Sequence, residues 1–251
     1  MYSIFAAVGA AAIVFVLVSL LMNPVAAMVP AVIAMGVVGI LLLRRATNGA
    51  QVALAPMQAL MQAGKIEEVD ALLIETLGKW GKWMPTLTGQ LHAQRGMLDY
   101  VRMKWDDALP KLDKGKWRNW MAKGCIASIH YRKGDKEAAF SMYAESTKAG
   151  KKEPLAWILR AVMLNKDKKR DEALTVINEG LTNIPGNRQL LDLQKRIANK
   201  KRVDTARFGQ GWYQFFPEEL ARQMQATRGK TPFGGGFQGG GRMSKAQRRG
   251  R

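Results

Sequence analysis

The first 43 positions of this 251-residue sequence contain no aspartate, glutamate, lysine, arginine or histidine. The formal charge of +19, from 39 Lys and Arg against 20 Asp and Glu, therefore lies entirely on the rest of the chain. A single cysteine, Cys125, excludes an intramolecular disulfide framework and any zinc site built on several cysteines. The two histidines, His92 and His130, leave little material for metal or triad chemistry. This segregation excludes a uniformly soluble protein.

No arrangement of residues in the sequence is typical of an active site. Gly229-Lys230-Thr231 has the ending of a P-loop, but Met224 stands where the first glycine belongs and no strand precedes it. The glycine-rich run 234–241 lacks the βαβ context of a dinucleotide site. Paired carboxylates, as at 106–107 and 171–172, are explained by helix starts. We therefore expect no enzyme, no cofactor, no metal site and no small-molecule substrate.

Two apolar stretches, 4–22 and 25–43, predict membrane-spanning helices. Each would be about 29 Å long at a rise of about 1.5 Å per residue, which matches a hydrocarbon core of about 30 Å. Asn23-Pro24 separates them, because proline disfavours a helical residue before it and removes a backbone donor. The sequence predicts a transmembrane helical hairpin over residues 1–43, followed by a linker over residues 44–50.

Other arrangements of the apolar stretch stay open, among them a re-entrant hairpin and a single long span with a buried extension. A cleaved signal peptide would need basic residues before the apolar run, and Met1-Tyr2-Ser3 has none. Arg44-Arg45 follows the second span, and basic flanks stay on the cytoplasmic side. We expect an integral protein of the bacterial inner membrane with both termini and the soluble part in the cytoplasm.

A turn motif recurs four times in the soluble part. Each copy has a turn, then acidic residues in the first helical turn, where they offset the helix dipole. A small apolar residue follows each time, and these residues are Val69, Ala108, Ala139 and Ala173. Their intervals of 39, 31 and 34 residues are typical of a solenoid of helical hairpins. A non-repetitive helical bundle is the alternative.

The recurrence resembles the tetratricopeptide repeat (TPR) family, whose period is 34. In the last repeat, Trp157 stands at the tryptophan position, Ala161 and Ala173 at the small positions, and Pro185 at the terminal proline. The matching residues of the three earlier repeats are Ala127, Gly134, Ala139, Tyr143, Ser146, Gly96, Ala108, Gly64 and Leu73. The resemblance covers about residues 51–186. It implies an all-α chain with a solenoid over residues 51–203, capped by a helix over 188–201.

Proteins of the TPR family generally bind extended or helical peptides in a concave groove lined by the first helix of each repeat. Projected onto this chain, the groove consists of Gln90, Met97, Tyr100, Ser128, Tyr131, Arg132, Val162, Asn165 and Lys166. This set has basic groups and no carboxylate, so a ligand with acidic and aromatic character would suit it. The carboxylate clamp of chaperone-binding members is not expected, because its positions read Ala93, Gly124 and Ile158.

Five of the seven tryptophans cluster around the second repeat with lysines between them: Trp80, Trp83, Trp105, Trp117 and Trp120. The first interpretation is aromatic packing between helical hairpins, with lysine stems lying over it. An aromatic and basic surface that stacks bases or contacts lipid headgroups is the alternative.

The end of the chain divides into an aromatic segment, residues 204–227, and a Gly/Arg-rich tail, residues 228–251. Pro217-Glu218-Glu219 predicts the start of a short helix. Docking of the aromatic segment on the repeats is the first interpretation, since an exposed apolar patch would be a liability; contact with the membrane or a partner stays open. We expect a disordered tail. Its candidate residues for anionic lipid or nucleic acid are Arg242, Lys245, Arg248, Arg249 and Arg251.

Together these features predict a membrane-anchored, TPR-like scaffold or adaptor that binds partner proteins on the cytoplasmic face as a subunit of a larger assembly. A membrane tether for RNA or ribosomes, acting through the basic surface and tail, is the alternative. A purely solubilising tail also stays open.

Overall fold

The computed structural model describes residues 2–21 and 24–228, and over these residues the chain forms helices and no strands. The α-helices are α1 Tyr2–Leu21, α2 Pro24–Leu54, α3 Met57–Gln62, α4 Ile66–Trp80, α5 Pro85–Val101, α6 Trp105–Gly115, α7 Trp120–Arg132, α8 Lys136–Ala149, α9 Pro154–Lys166, α10 Arg170–Asn183, α11 Arg188–Ala198, α12 Gln210–Tyr213 and α13 Pro217–Arg228. A 3₁₀ turn spans Thr205–Phe208. The predicted all-α class is confirmed for this part of the chain.

The two N-terminal helices pack against each other as an antiparallel pair. Ala7, Ala27 and Ala31 are buried between them, while their outer faces expose large apolar side chains such as Phe5 and Leu17. By length and composition both helices can cross a membrane, with mean hydropathies of 2.8 for Tyr2–Leu21 and 2.6 for the run beginning at Pro24. The predicted break at Asn23 lies outside the described residues.

The second helix does not stop where the apolar stretch ends. Residues 44–50, predicted as a linker, continue α2 as far as Leu54. Ala46 and Ala50 are buried, α2 packs on α4, and a Cβ at Gly49 would overlap the ring of Trp80. The prediction of a separate linker is therefore corrected, because small side chains let the repeats pack directly on the helix that leaves the apolar stretch.

Four helix pairs follow: α3 with α4, α5 with α6, α7 with α8, and α9 with α10. The turn inside each pair has one residue with positive φ, and these are Gly64 (71°), Met103 (61°), Gly134 (85°) and Lys168 (64°). The amide of the next residue donates to the carbonyl five residues earlier each time, as from Lys104 to Asp99 at 2.9 Å and from Asp135 to His130 at 3.0 Å. The same Schellman ending thus recurs at the spacing of the sequence motif, which confirms a helical repeat.

The small residues of the motif bring the two helices of each pair close together. Val69, Ala108, Ala139 and Ala173 are all completely buried, so each second helix lies against the first without an intervening large side chain. The core of the repeats is filled by larger residues of α7, α8 and α9, including Ile126, Ile129, Tyr143, Ile158 and Leu159.

The helix predicted over 188–201 is α11, which ends at Ala198 and buries Leu190, Leu193 and Ile197. It ends in the same way as the first helix of a repeat, with Lys200 at a φ of 54°. No second helix of a fifth pair follows within the described residues. Instead the chain turns back across α9, α7 and α5, and we call residues 204–228 the return segment. Its helix α13 begins at Pro217 as predicted and extends to Arg228.

Candidate functional site

The first helices of the last three repeats, α5, α7 and α9, lie side by side. We call their common surface, which carries Tyr100, Gly124, Arg132, Leu155 and Lys166, the A-helix face. It corresponds to the groove projected from the sequence. In this structure the return segment lies on that face, and its contacts run from α9 across α7 to α5.

Three aromatic residues anchor the return segment. Trp212 and Phe215 are completely buried, and Phe216 is 5% exposed. Phe215 reaches the backbone of α7 because Gly124 has no side chain: a Cβ there would lie 2.7 Å from Phe215 Cε1. The rings of Trp212 and Phe216 stack with centroids 4.7 Å apart. The docking of the aromatic segment on the repeats, predicted from the sequence, is confirmed.

Arg132 uses every nitrogen of its guanidinium group: Nε and Nη2 bind the return segment, and Nη1 binds Tyr100 of α5. Nη2 donates to the Phe215 carbonyl at 2.7 Å and to the Glu218 carboxylate at 2.8 and 3.0 Å, and Nε donates to the same carboxylate at 3.1 Å. Nη1 donates to Tyr100 Oη at 2.7 Å, and Tyr100 Oη donates to the Phe215 carbonyl at 2.7 Å. The Trp105 ring centroid lies 4.5 Å from the guanidinium carbon. Such charge-assisted, forked contacts both bind and orient a peptide.

The environment keeps this guanidinium charged although it is largely covered. Burial opposes the charged form, but the interactions with Tyr100 and Glu218 prevail and raise the pKa of Arg132 above its ordinary value. Burial also raises the pKa of Tyr100 well above its ordinary value, so the phenol stays protonated and able to donate. The arrangement is a satisfied, fixed binding site for a carboxylate and a backbone carbonyl.

A second charged contact lies next to the first. Lys166 Nζ lies 3.2 Å from Glu219 Oε1, while Trp212 Nε1 and Thr205 Oγ1 donate to Glu219 Oε2 at 2.7 and 3.1 Å. Lys166 also lies over the rings of Phe216 and Trp212, at 5.1 and 5.5 Å from their centroids. Burial opposes ionisation of Glu219, but the Trp212 hydrogen bond and the Lys166 charge hold its pKa below the ordinary value.

Three of the predicted groove residues need correction, because they do not lie on an open surface. Tyr100 is completely buried beneath the return segment. Ser128 is completely buried between α7 and α8, where its hydroxyl lies 2.9 Å from Tyr143 Oη. Val162 is also buried, since α9 packs on both α7 and α11.

The remaining predicted groove residues do not come together. Met97 is partly buried against the core. The rings of Tyr131 and Phe140 of α8 meet edge to face, with centroids 6.3 Å apart. Gln90 lines a separate cavity of about 750 Å³ at the start of α5, and Asn165 lines one of about 490 Å³ beside the end of α11. Of the predicted set, Tyr100, Arg132 and Lys166 meet at the return segment, and Lys166 also lines the second cavity together with Val162 and Asn165. The tail residues Arg242, Lys245, Arg248, Arg249 and Arg251 lie outside the described residues.

Sequence reasoning missed the residues that complete the site: Trp105, Gly124, Glu218 and Glu219. The sequence contained a signal for Glu218 and Glu219. The predicted groove suits an acidic and aromatic ligand, and residues 212–219 combine three buried aromatic residues with two carboxylates. Gly124 was read as the loss of a clamp residue. In the structure, the absence of a side chain at Gly124 leaves space for the Phe215 ring.

Comparisons with known proteins give a likeness of shape only. No protein-family model matches the chain, and no curated protein matches it in sequence. One solved structure that it resembles, the crystal structure of MamA protein, superposes with a TM-score of 0.46 at 11% sequence identity. That superposition covers 72% of this chain and 96% of the other. At these values it assigns neither a family nor a function.

Proposed function

We propose that this protein is a membrane-anchored, TPR-like scaffold that binds partner proteins as a subunit of a larger assembly. The apolar pair α1 and α2 is its anchor. Arg44 and Arg45, at the end of the apolar stretch, favour a cytoplasmic position for the repeats and for both termini, as in a bacterial inner membrane. The role is one of binding, without a catalytic activity of its own.

The observation that carries the proposal is the peptide already seated on the A-helix face. Arg132 and Lys166 each hold a carboxylate and flank the Phe216 ring, while Gly124 opens a place for Phe215. The face therefore has pockets for aromatic side chains next to fixed positive charges. A partner peptide with two or three aromatic residues followed by a pair of carboxylates has the matching chemistry.

In this proposal the return segment is an internal ligand that a partner peptide replaces. Because the segment is tethered, its effective concentration at the face is of the order of millimolar, and it competes strongly. The apparent affinity of any partner is lowered by the fraction of molecules in which the face is open. Release of the return segment therefore controls access to the site.

The test uses a fluorescent peptide with the sequence of residues 204–228 and the full chain in detergent. Glu218→Lys with Glu219→Lys places positive charges against Arg132 and Lys166, which releases the internal ligand. We expect the peptide to bind this variant at least about tenfold more tightly than the wild type. Adding Arg132→Glu should abolish binding, while adding Lys133→Glu at the exposed neighbour should not.

Equal binding of the peptide to all four proteins would show that the A-helix face is not a peptide site. The natural partner would then be sought by purification in mild detergent with a high-salt wash. A defined set of proteins at constant ratio is expected. Nucleic acid or ribosomes that are lost as salt rises would instead favour the tether for RNA, because phosphate contacts weaken steeply with salt.

A further inference from the structure

The loop between α4 and α5 is fixed against the beginning of the hairpin. The Tyr2 amide donates to the Lys82 carbonyl at 3.1 Å, and Ser3 Oγ donates to the Trp83 carbonyl at 2.6 Å. The Tyr2 and Trp83 rings meet edge to face, with centroids 5.9 Å apart. Since α1 and α2 are antiparallel, this loop lies beside the point where the uncharged stretch of α2 ends.

A cavity of about 430 Å³ opens at this junction. Its walls are Leu42, Arg45, Ala46, Lys79, Trp80 and Trp83. One side is thus formed by the end of the apolar stretch, and the other by two indole rings and a lysine from the soluble part. Two cations and two tryptophans therefore surround one space at the end of a candidate membrane span.

The walls of the cavity are held by packing. The ring of Trp80 lies on Gly49, where any side chain would overlap it, and Lys79 Nζ lies 6.0 Å from the centroid of the same ring. Among the described residues, no carboxylate lies within ion-pair distance of Arg45 or Lys79, and both side chains are exposed. The first acidic residue of the whole chain is Glu67. Arg45 therefore lies 22 positions before any acidic residue, and within the described part of the chain Lys79 forms no ion pair although Glu75 precedes it by one helical turn.

We infer that this cavity binds the headgroup phosphate of an anionic phospholipid, with Arg45 and Lys79 as its charge partners. The inference rests on the proposed function in one respect, which is that α1 and α2 lie in a bilayer. Tryptophan rings prefer the depth of the glycerol backbone, and basic pockets at the cytoplasmic end of membrane helices bind anionic headgroups. The acyl chains would continue along Leu42 into the hydrocarbon. The lipid would complete the junction between the repeats and the membrane.

The test uses the full-length protein, purified in detergent and incubated with phosphatidylglycerol or with phosphatidylcholine, and native mass spectrometry to count retained lipids. The wild type should retain one phosphatidylglycerol through dilution and should not retain phosphatidylcholine. Arg45→Ala with Lys79→Ala should reduce the retained fraction at least about tenfold. The matched control, Lys114→Ala with Arg118→Ala, removes two exposed bases from the cavity at the start of α5 and should retain the lipid.

Two further arms separate the sources of phosphate and the possible failures. Glycerol 3-phosphate in excess should not displace the lipid, because it lacks the acyl chains; displacement would make the ligand a soluble phosphate and overturn the lipid assignment. Equal retention by the wild type and by the double variant Arg45→Ala with Lys79→Ala would also overturn the lipid assignment.

The charge-conserving double variant Arg45→Lys with Lys79→Arg should keep binding the lipid. A loss of binding that is caused by misfolding is thereby recognised. Carbonate extraction tests the anchor separately: a wild type that leaves the membrane refutes the proposed anchor, whereas one that stays without binding lipid refutes only this site.

Discussion

Arg132 is the residue that joins the return segment to the repeats. It contacts a carboxylate, a backbone carbonyl, the hydroxyl and ring of Tyr100 and two further aromatic rings, and its side chain is 18% exposed. A charge covered in this way is stable only while its partners remain, because an unpaired buried charge is expensive. Stability and occupancy of the A-helix face are therefore linked through one side chain.

Replacing Arg132 should separate this effect from that of ordinary surface charge. We expect Arg132→Met to lower the free energy of unfolding by about 2–3 kcal/mol, because the half-buried Glu218 carboxylate loses its donors and the Phe215 carbonyl keeps only Tyr100 Oη. Lys133→Met is the control, since Lys133 pairs with Asp106 at the surface and should contribute less than about 1 kcal/mol. Urea denaturation of both variants measures the difference, and equal losses would contradict the assignment.

Gly124 tests whether the aromatic anchor needs the missing side chain. Gly124→Leu would place atoms where Phe215 and Leu159 now lie, so we expect the return segment to be expelled and digested at least about tenfold faster by protease. Gly78→Ala in α4 is the matched control, because a Cβ there meets nothing within 4 Å. Unchanged protection in Gly124→Leu would show that Phe215 does not require this space.

At the scale of elements, the return segment is attached by charges that depend on pH. The pKa of Glu219 lies below its ordinary value of 4.5, so its carboxylate stabilises docking fully above that pH. The contribution is lost as pH falls through the lowered value, when the protonated group no longer pairs with Lys166. Above the ordinary value, docking should not change with pH through this group.

The expected outcome is that protease begins to cut between residues 202 and 216 as the pH falls below 4.5, with an acid-active protease as the probe. Glu219→Gln keeps the size of the side chain and removes its titration, so its docking should be weaker at pH 7 and should change less toward acid. Comparison of the two profiles isolates Glu219 from other carboxylates with lowered pKa, such as Asp70 and Glu145. Identical profiles would contradict the role of Glu219.

The extension of α2 is the second element that decides how the molecule is built. Where the sequence predicts a linker over residues 44–50, the chain continues as one helix, and Ala46, Gly49 and Ala50 pack against the soluble part. Gly49→Val should push the Trp80 ring away and expose residues 44–66 to protease. Retention in the membrane should not change, because the apolar stretch is untouched. Gly36→Val, where a Cβ meets nothing within 4 Å, is the control.

At the scale of the whole molecule, charge and apolar surface are separated along the chain. The uncharged stretch that ends at residue 43 exposes large apolar side chains, and every acidic residue lies at Glu67 or beyond it. The repeats touch the hairpin at two places, at the start of α1 and along the extension of α2. In the proposed setting, the A-helix face is thus held at a set position near the membrane, which suits a scaffold.

Both features that the sequence predicts best are local ones. The apolar pair follows from 43 positions without an ionisable side chain other than Tyr2, and the repeats follow from a turn motif in which acidic residues start a helix and a small residue lets it pack. These properties depend on residues within one or two helical turns, so they are readable along the chain. The capping helix and the start of α13 were predicted for the same reason.

Only the tertiary structure decided what fills the A-helix face and how the hairpin is joined to the repeats. Arg132 and Glu218 are 86 positions apart, and nothing local indicates that they pair. The sequence indicated the chemistry of the ligand, acidic and aromatic, but not that the chain supplies it. Likewise residues 44–50 were predicted as a linker that begins with Arg44 and Arg45. They are helical because Ala46 and Ala50 are buried where α2 packs on α4. Pairing across the fold depends on which surfaces meet, and that is determined only when the whole chain packs.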